Sequence, residues 1–101
     1  MYILAGNNGN CPTDSVIPTV NECKIALRAL GLDRFGGSNN MTDKPAGCYK
    51  SGSFSGSSVA FFNNKIDPAE TNPPFVGNRS GICRAGIVDF AVKWYLVGQI
   101  N

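Results

Sequence analysis

Histidine is entirely missing from this chain of 101 residues, and its absence removes much of the catalytic repertoire. Without an imidazole there is no Ser-His-Asp triad, no Cys-His nucleophile pair and no histidine ligand for a metal. The seven carboxylates are dispersed along the chain and do not suggest the acid and base pair of a glycosidase. The glycine-rich stretches contain neither of two phosphate-binding patterns, G-x-x-x-x-G-K-[ST] and a G-x-G-x-x-G that follows a strand. We therefore expect a non-catalytic protein that needs no cofactor.

Charge and long apolar runs are also scarce. Only 16% of the residues are charged, the formal net charge is +2, and the nine basic side chains form no run. Nucleic-acid binding needs a clustered basic surface, so we do not expect a nucleic-acid partner. The longest apolar stretches fall short of the roughly 20 residues that span a bilayer, so we expect at most a peripheral association with membranes. The length and the 43% hydrophobic content fit one small folded domain.

Four cysteines are present, at Cys11, Cys23, Cys48 and Cys83. An even number of widely spaced cysteines in a small domain predicts two disulfides and an oxidising compartment. The alternative is four reduced, buried thiols in a cytosolic protein. A zinc site with four thiolates is disfavoured because the chain lacks the close C-x-x-C pairs of such sites, so we expect no bound metal.

The clearest local signal predicts a helix from about Val20 to Leu30. Thr19 and Glu22 have the spacing of a capping box, in which each side chain bonds the free backbone amide of the other residue. Gly31 is well placed to end the helix. The apolar face repeats at steps of three and four residues, through Val20, Cys23, Leu27 and Leu30.

The position of Cys23 on this apolar face directs its sulfur towards the core, where Cys48 is the natural partner. This reasoning favours the pairs Cys23–Cys48 and Cys11–Cys83. It is one of three possible connectivities, and the sequence alone leaves the other two open.

The remaining segments predict short strands and loops. Residues 2–5 and 81–84 have the pattern of strands, and the apolar segments 48–49 and 59–62 predict a hairpin with a loose tip at residues 51–58. We interpret residues 36–40 as a loop, and residues 63–79, which contain three prolines, as an irregular surface segment. The expected fold class is α+β, with one capped helix on a small, mainly antiparallel sheet fastened by two disulfides.

The C-terminal segment is unusually apolar and follows the last cysteine. We therefore divide the domain into a module at residues 1–86 and an extension at residues 87–101. Alternating apolar residues favour a strand, although Asp89 and Lys93 also have the spacing of a helical ion pair. Such a segment is either part of the core or a docking surface for a protein or a membrane face.

Two further patterns concern ligands and modification. Asn40-Met41-Thr42 and Asn78-Arg79-Ser80 are glycosylation sequons in predicted loops. The aromatic residues Tyr49, Phe54 and Trp94, with Asn63 and Asn64, have the composition of a sugar-stacking platform. The alternative is that Tyr49 and Trp94 belong to the core and Phe54 anchors a loop.

The order of the short motifs resembles a known module. These motifs are Cys11-Pro12, the helix opened by Thr19-x-x-Glu22-Cys23 and closed at Leu30-Gly31-Leu32, and then Gly47-Cys48-Tyr49, Phe62-Asn63 and Ile82-Cys83-Arg84. In this order they resemble a small cysteine-containing module of unassigned function found in predicted proteins of dinoflagellates and related algae. The resemblance covers residues 2–84 and implies no catalytic residues. It leaves the apolar extension as a feature particular to this chain.

An algal source combined with an oxidising compartment implies the thylakoid lumen or the secretory route. In the lumen, we expect an accessory subunit that docks on a membrane-associated assembly such as a photosystem–antenna complex. Its partner-binding residues would be Phe90, Trp94 and Leu96 of the extension, with Phe54 of the hairpin tip. In the secretory route, we expect a ligand-binding module, specific for carbohydrate, that uses Tyr49, Phe54 and Trp94.

Overall fold

The computed structural model describes residues 1–6, 8–52 and 58–85. One α-helix, α1, and five strands make up the regular structure of this part of the chain. In chain order they are β1 (Tyr2–Leu4), α1 (Val20–Ala29), β2 (Phe35–Asn39), β3 (Gly47–Ser51), β4 (Val59–Asn63) and β5 (Arg79–Arg84), with single 3₁₀ turns at Thr13–Ser15 and Pro68–Glu70. Within these residues, no helix is long and apolar enough to cross a membrane.

The strands form one five-stranded sheet in the order β1-β5-β3-β4-β2. All neighbouring pairs are antiparallel except β2 and β4, which run parallel. Helix α1 packs on one face of the sheet, mainly against β4, β2 and β5. The predicted α+β class and the mainly antiparallel sheet are confirmed, and so is the hairpin of β3 and β4, whose tip residues 53–57 lie outside the described part.

The two ends of α1 follow from local sequence signals. At the start, the Thr19 hydroxyl oxygen accepts a hydrogen bond from the Glu22 amide at 3.2 Å. At the end, Gly31 has a positive φ of 81°, which glycine adopts without steric cost. The Gly31 amide donates to the Arg28 carbonyl, and the Leu32 amide donates to the Leu27 carbonyl at 2.8 Å. This pair of bonds is a Schellman motif, and it closes the helix one residue before the predicted end.

The main core lies between α1 and the sheet. Of the predicted apolar face of the helix, Cys23 and Leu27 are buried, while Val20 and Leu30 are partly buried against the core. Ala26, which lies outside the predicted face, is buried as well. This core is completed by side chains from the sheet and the adjoining loops, and its buried members are Ile17, Cys23, Ala26, Leu27, Leu32, Cys48, Ala60, Phe62 and Ile82. The mixed origin of these residues means that helix and sheet stabilise each other.

Both favoured disulfides are present. Cys23 and Cys48 join the helix to the central strand β3, with 5.3 Å between their Cα atoms. Cys11 and Cys83 join the N-terminal loop to β5 on the opposite face of the sheet, with 5.5 Å between Cα atoms. Both distances lie in the usual range for disulfides. No cysteine is left free, and two disulfides indicate that the protein belongs to an oxidising compartment.

The prediction of a loop at residues 36–40 is wrong, because Phe35–Asn39 forms the edge strand β2. Glycines at positions 36 and 37 argue against a strand on propensity alone. The strand forms because it pairs with β4 and because the Phe61 ring covers Gly36, where a Cβ would lie 2.3 Å from a ring carbon. A register shift between Phe35 and Ser38 accommodates Gly37, whose φ is 115°.

Candidate functional site

The apolar extension leaves the described structure beside the N-terminus. Strand β5 ends at Arg84, and the Ala85 amide then donates a hydrogen bond to the Met1 carbonyl at 2.9 Å. Met1 and Ile3 are 85% and 51% exposed at this edge of the sheet. We call Met1 and strand β1 the N-terminal edge, which exposes the apolar side chains of Met1 and Ile3 beside Ala85.

The N-terminal edge is held firmly to the rest of the molecule. Ile3 pairs with Cys83 in the sheet, and Cys83 is tied to Cys11 by the second disulfide. Close packing supports this link, because a Cβ at Gly81 would lie 2.8 Å from the Cys11 sulfur. The exposed side chains of the edge are therefore presented on a rigid backbone.

A polar cluster on the helix side of the same edge joins three elements. The Glu22 carboxylate accepts hydrogen bonds from Arg84 Nε at 2.7 Å and Nη2 at 2.5 Å, and from the Tyr2 hydroxyl at 3.2 Å. These contacts correct the predicted capping box, since only its Thr19 half forms and the Glu22 carboxylate binds Arg84. A residue far along the chain offers a bidentate, charge-assisted partner, which is stronger than a bond to a neutral backbone amide.

The charges of this cluster shift its titration. The hydrogen bonds from Arg84 lower the pKa of Glu22, against the opposing effect of burial. Burial and the neighbouring Glu22 carboxylate raise the pKa of the Tyr2 hydroxyl. Glu22 raises the pKa of Arg84. The cluster is an ion pair that clamps the start of α1 to β1 and β5.

The sequence assigns Tyr49 either to a sugar-stacking platform or to the core, and in the structure it belongs to the core. Its side chain is only 1% exposed and its ring stacks on Phe61, with 5.6 Å between the ring centroids. Its hydroxyl accepts a hydrogen bond from Asn39 Nδ2 at 2.7 Å, and burial raises its pKa. Tyr49 therefore has no free ring face for a sugar.

Asn63 has a structural role that sequence reasoning missed. It is fully buried at the end of β4, and its Nδ2 donates to the carbonyls of Met41, Lys44 and Pro45. Its Oδ1 accepts from the amides of Met41 and Lys65, both at 3.1 Å. The side-chain amide of Asn63 thus supplies the hydrogen bonds that water would otherwise make to the backbone of this loop. The neighbouring Asn64 is exposed.

Lys50 is a second buried polar residue that the sequence did not reveal. It is 6% exposed on β3, on the same face of the sheet as Cys48, and its ammonium donates to the Gly52 carbonyl. Burial lowers its pKa because the charged form is less well solvated. The alternation of side chains along β3 places Lys50 on the inner face of the sheet. The sequence does not predict this position, because a charged residue is expected to be exposed.

The structure does not describe the predicted partner-binding residues, which are Phe54, Phe90, Trp94 and Leu96. Phe54 and Trp94 also belong to the predicted sugar platform, so that part of the platform lies outside the described residues as well. The strand predicted for the extension also falls there. Among residues 1–6, 8–52 and 58–85, no group of three or more acidic or cysteine side chains is arranged to hold a metal ion.

Comparisons with protein-family models, with curated proteins and with solved structures give no match for this chain.

Proposed function

We propose that this protein is a non-catalytic interaction subunit that docks on a larger, membrane-associated assembly through its apolar extension and the N-terminal edge. The observation that carries this proposal is the place where the described chain ends. The Ala85 amide donates a hydrogen bond to the Met1 carbonyl, beside the exposed side chains of Met1 and Ile3, and the extension at residues 87–101 follows in sequence. A single apolar surface can thus include the edge and Phe90, Trp94 and Leu96.

The construction of the module suits such a role. The Cys11–Cys83 disulfide and the Glu22–Arg84 ion pair both fix β5, the strand from which the extension continues. A binding surface attached to a rigid strand loses less conformational entropy when it binds a partner. Aromatic and large aliphatic side chains are also the residues that contribute most to protein interfaces.

The location we propose follows from the disulfides together with the algal resemblance. An oxidising compartment on an algal membrane points to the thylakoid lumen, with a photosystem–antenna complex as the assembly. The second location is the secretory route. The carbohydrate-binding alternative loses support because Tyr49 is buried, which leaves it with Phe54 and Trp94 only.

The test is isolation of the protein from its source membranes in a mild detergent, followed by native electrophoresis and mass spectrometry of the co-migrating chains. The proposal predicts stable co-migration with one large membrane complex, in constant stoichiometry. Recovery of the protein as a free, disulfide-bonded monomer under the same conditions would contradict it, and glycan-array binding by that monomer would establish the alternative.

A further inference from the structure

Strand β2 is an open edge of the sheet. It is the last strand on its side, and no described strand covers its outer backbone. Its residues, Phe35–Asn39, include no charged side chain and no proline, two features with which proteins protect an edge strand against pairing with other chains. The protection that β2 itself provides is limited to its length of five residues and the register shift between Phe35 and Ser38.

The residue that follows this edge is the acceptor of the first sequon. The Asn40 side chain is exposed, and no described group bonds it. The backbone around it is held in place, because the Asn39 carbonyl accepts from the Asn64 amide at 2.7 Å and the Thr42 carbonyl accepts from the Asn72 amide at 2.9 Å. Asn63 fixes the Met41 backbone between them. A group attached to Asn40 would be rooted at the end of the open edge.

We propose that Asn40 is an N-glycosylation site and that its glycan shields the open edge of β2. The co-reactant is an oligosaccharide linked to a lipid diphosphate. The Asn40 amide nitrogen forms a bond to the anomeric carbon, the bond from that carbon to the diphosphate oxygen breaks, and the lipid diphosphate leaves while the amide loses one proton. The disulfides indicate an oxidising compartment, and the endoplasmic reticulum, where this transfer occurs, is one such compartment.

This inference does not rest on the proposed docking function, which involves the opposite edge of the sheet. It requires a path through the secretory route, which is the second of the two proposed locations. The second sequon provides an internal comparison, because Asn78 is also exposed but precedes β5, an interior strand that lies between β1 and β3. A glycan on Asn78 would therefore not be attached at the end of β2.

The first test uses the protein from its native source. Peptide N-glycanase treatment in water enriched in heavy oxygen converts a glycosylated asparagine to labelled aspartate, which peptide mass mapping detects. The proposal predicts labelled aspartate at position 40. Unmodified Asn40 in all molecules would overturn it, whether or not Asn78 is labelled.

The second test separates the shield from the modification. The full chain is secreted from eukaryotic cells and its mass is compared before and after glycanase treatment. Asn40→Gln and Thr42→Ala should each remove one glycan that the glycanase releases from the unaltered chain. Asn64→Gln, which changes an exposed asparagine outside any sequon, should leave the pattern unchanged. Asn40→Gln should also shift the protein to larger species in size-exclusion chromatography as concentration rises, whereas Asn78→Gln should not. Elution of Asn40→Gln at a position that does not change with concentration would overturn the shielding role.

Discussion

Glu22 shows how one side chain can serve the helix and the sheet at the same time. Its amide bonds the Thr19 cap, while its carboxylate binds Arg84, 62 positions along the chain. The local spacing predicts the helix start but cannot reveal Arg84, because that contact exists only once the sheet has brought β5 beside α1. Residue-scale reasoning thus finds the cap and misses its tertiary partner.

The Glu22–Arg84 pair should make stability depend on pH in the acid range. The pKa of Glu22 is lowered from its ordinary value of 4.5, so the pair stabilises the fold fully above that value. The contribution is lost as the pH falls through the lower pKa of the folded state. We expect Glu22→Gln to cost about 0.5–1 kcal/mol at neutral pH, since solvent screens the half-exposed Arg84, and almost nothing in strong acid.

Urea unfolding of both proteins over this pH range checks the prediction. Glu70→Gln, which removes an exposed carboxylate from the Pro68–Glu70 turn, is the matched control. An equal effect of Glu22→Gln at all pH values would contradict the ion-pair explanation.

Asn63 should be far more important for stability than its neighbour. Asn63→Ala leaves two amides and three carbonyls without their buried partner, so we expect a loss of about 2–3 kcal/mol in unfolding free energy. Asn64→Ala, at an exposed position, should change the unfolding free energy by less than about 0.5 kcal/mol. Chemical denaturation of the two variants makes the comparison, and similar losses for both would show that the loop does not depend on Asn63.

At the scale of elements, β2 differs most from expectation. Helix α1 and the hairpin could be predicted because their signals are local, namely a cap, an apolar periodicity and two apolar runs. Strand β2 carries no such signal, since Gly36 is favoured there only because the Phe61 ring of β4 covers it. The polar roles of Asn63 and Lys50 were hidden for the same reason, because both depend on neighbours that the fold supplies.

The contact between Gly36 and Phe61 can be tested by adding one methyl group. Gly36→Ala places a Cβ 2.3 Å from the ring, so the ring must move, and we expect a loss of about 1–3 kcal/mol. Gly6→Ala is the control, because nothing lies within 4 Å of its added Cβ. Phe61→Leu should make Gly36→Ala less costly, which a double-mutant cycle measures. An unchanged cost in the Phe61→Leu background would contradict the covering role of the ring.

At the scale of the whole molecule, the two disulfides fasten opposite faces of one sheet. They close separations of 25 and 72 residues, for which chain entropy predicts about 3.5 and 4.4 kcal/mol of stabilisation. Each value is a large part of the roughly 5–15 kcal/mol by which folded domains are stable. We expect replacement of either pair by alanine to lower the unfolding free energy by about 3–5 kcal/mol in urea titrations. A loss below about 1 kcal/mol would show that the packed core suffices without that link.

The two edges of the sheet have different tasks in the two proposals. At the β2 edge, the proposed glycan on Asn40 shields an open strand. At the β1 edge, Met1 and Ile3 are exposed beside Ala85, and the docking proposal uses this edge together with the extension. The sequence could predict the apolar character of the extension, but the contact between Met1 and Ala85 follows only from the pairing of β1 with β5.

The most direct measurement of the docking claim compares variants of the extension for co-migration with the native membrane complex. Phe90→Ala, Trp94→Ala and Leu96→Ala, combined in one chain, remove one alternating row of large apolar side chains. Lys93→Ala changes the other row of the same segment and is the matched control. The account predicts that the combined variant runs as a free monomer while the control and the unaltered chain co-migrate with the complex. Undiminished co-migration of the combined variant would contradict it.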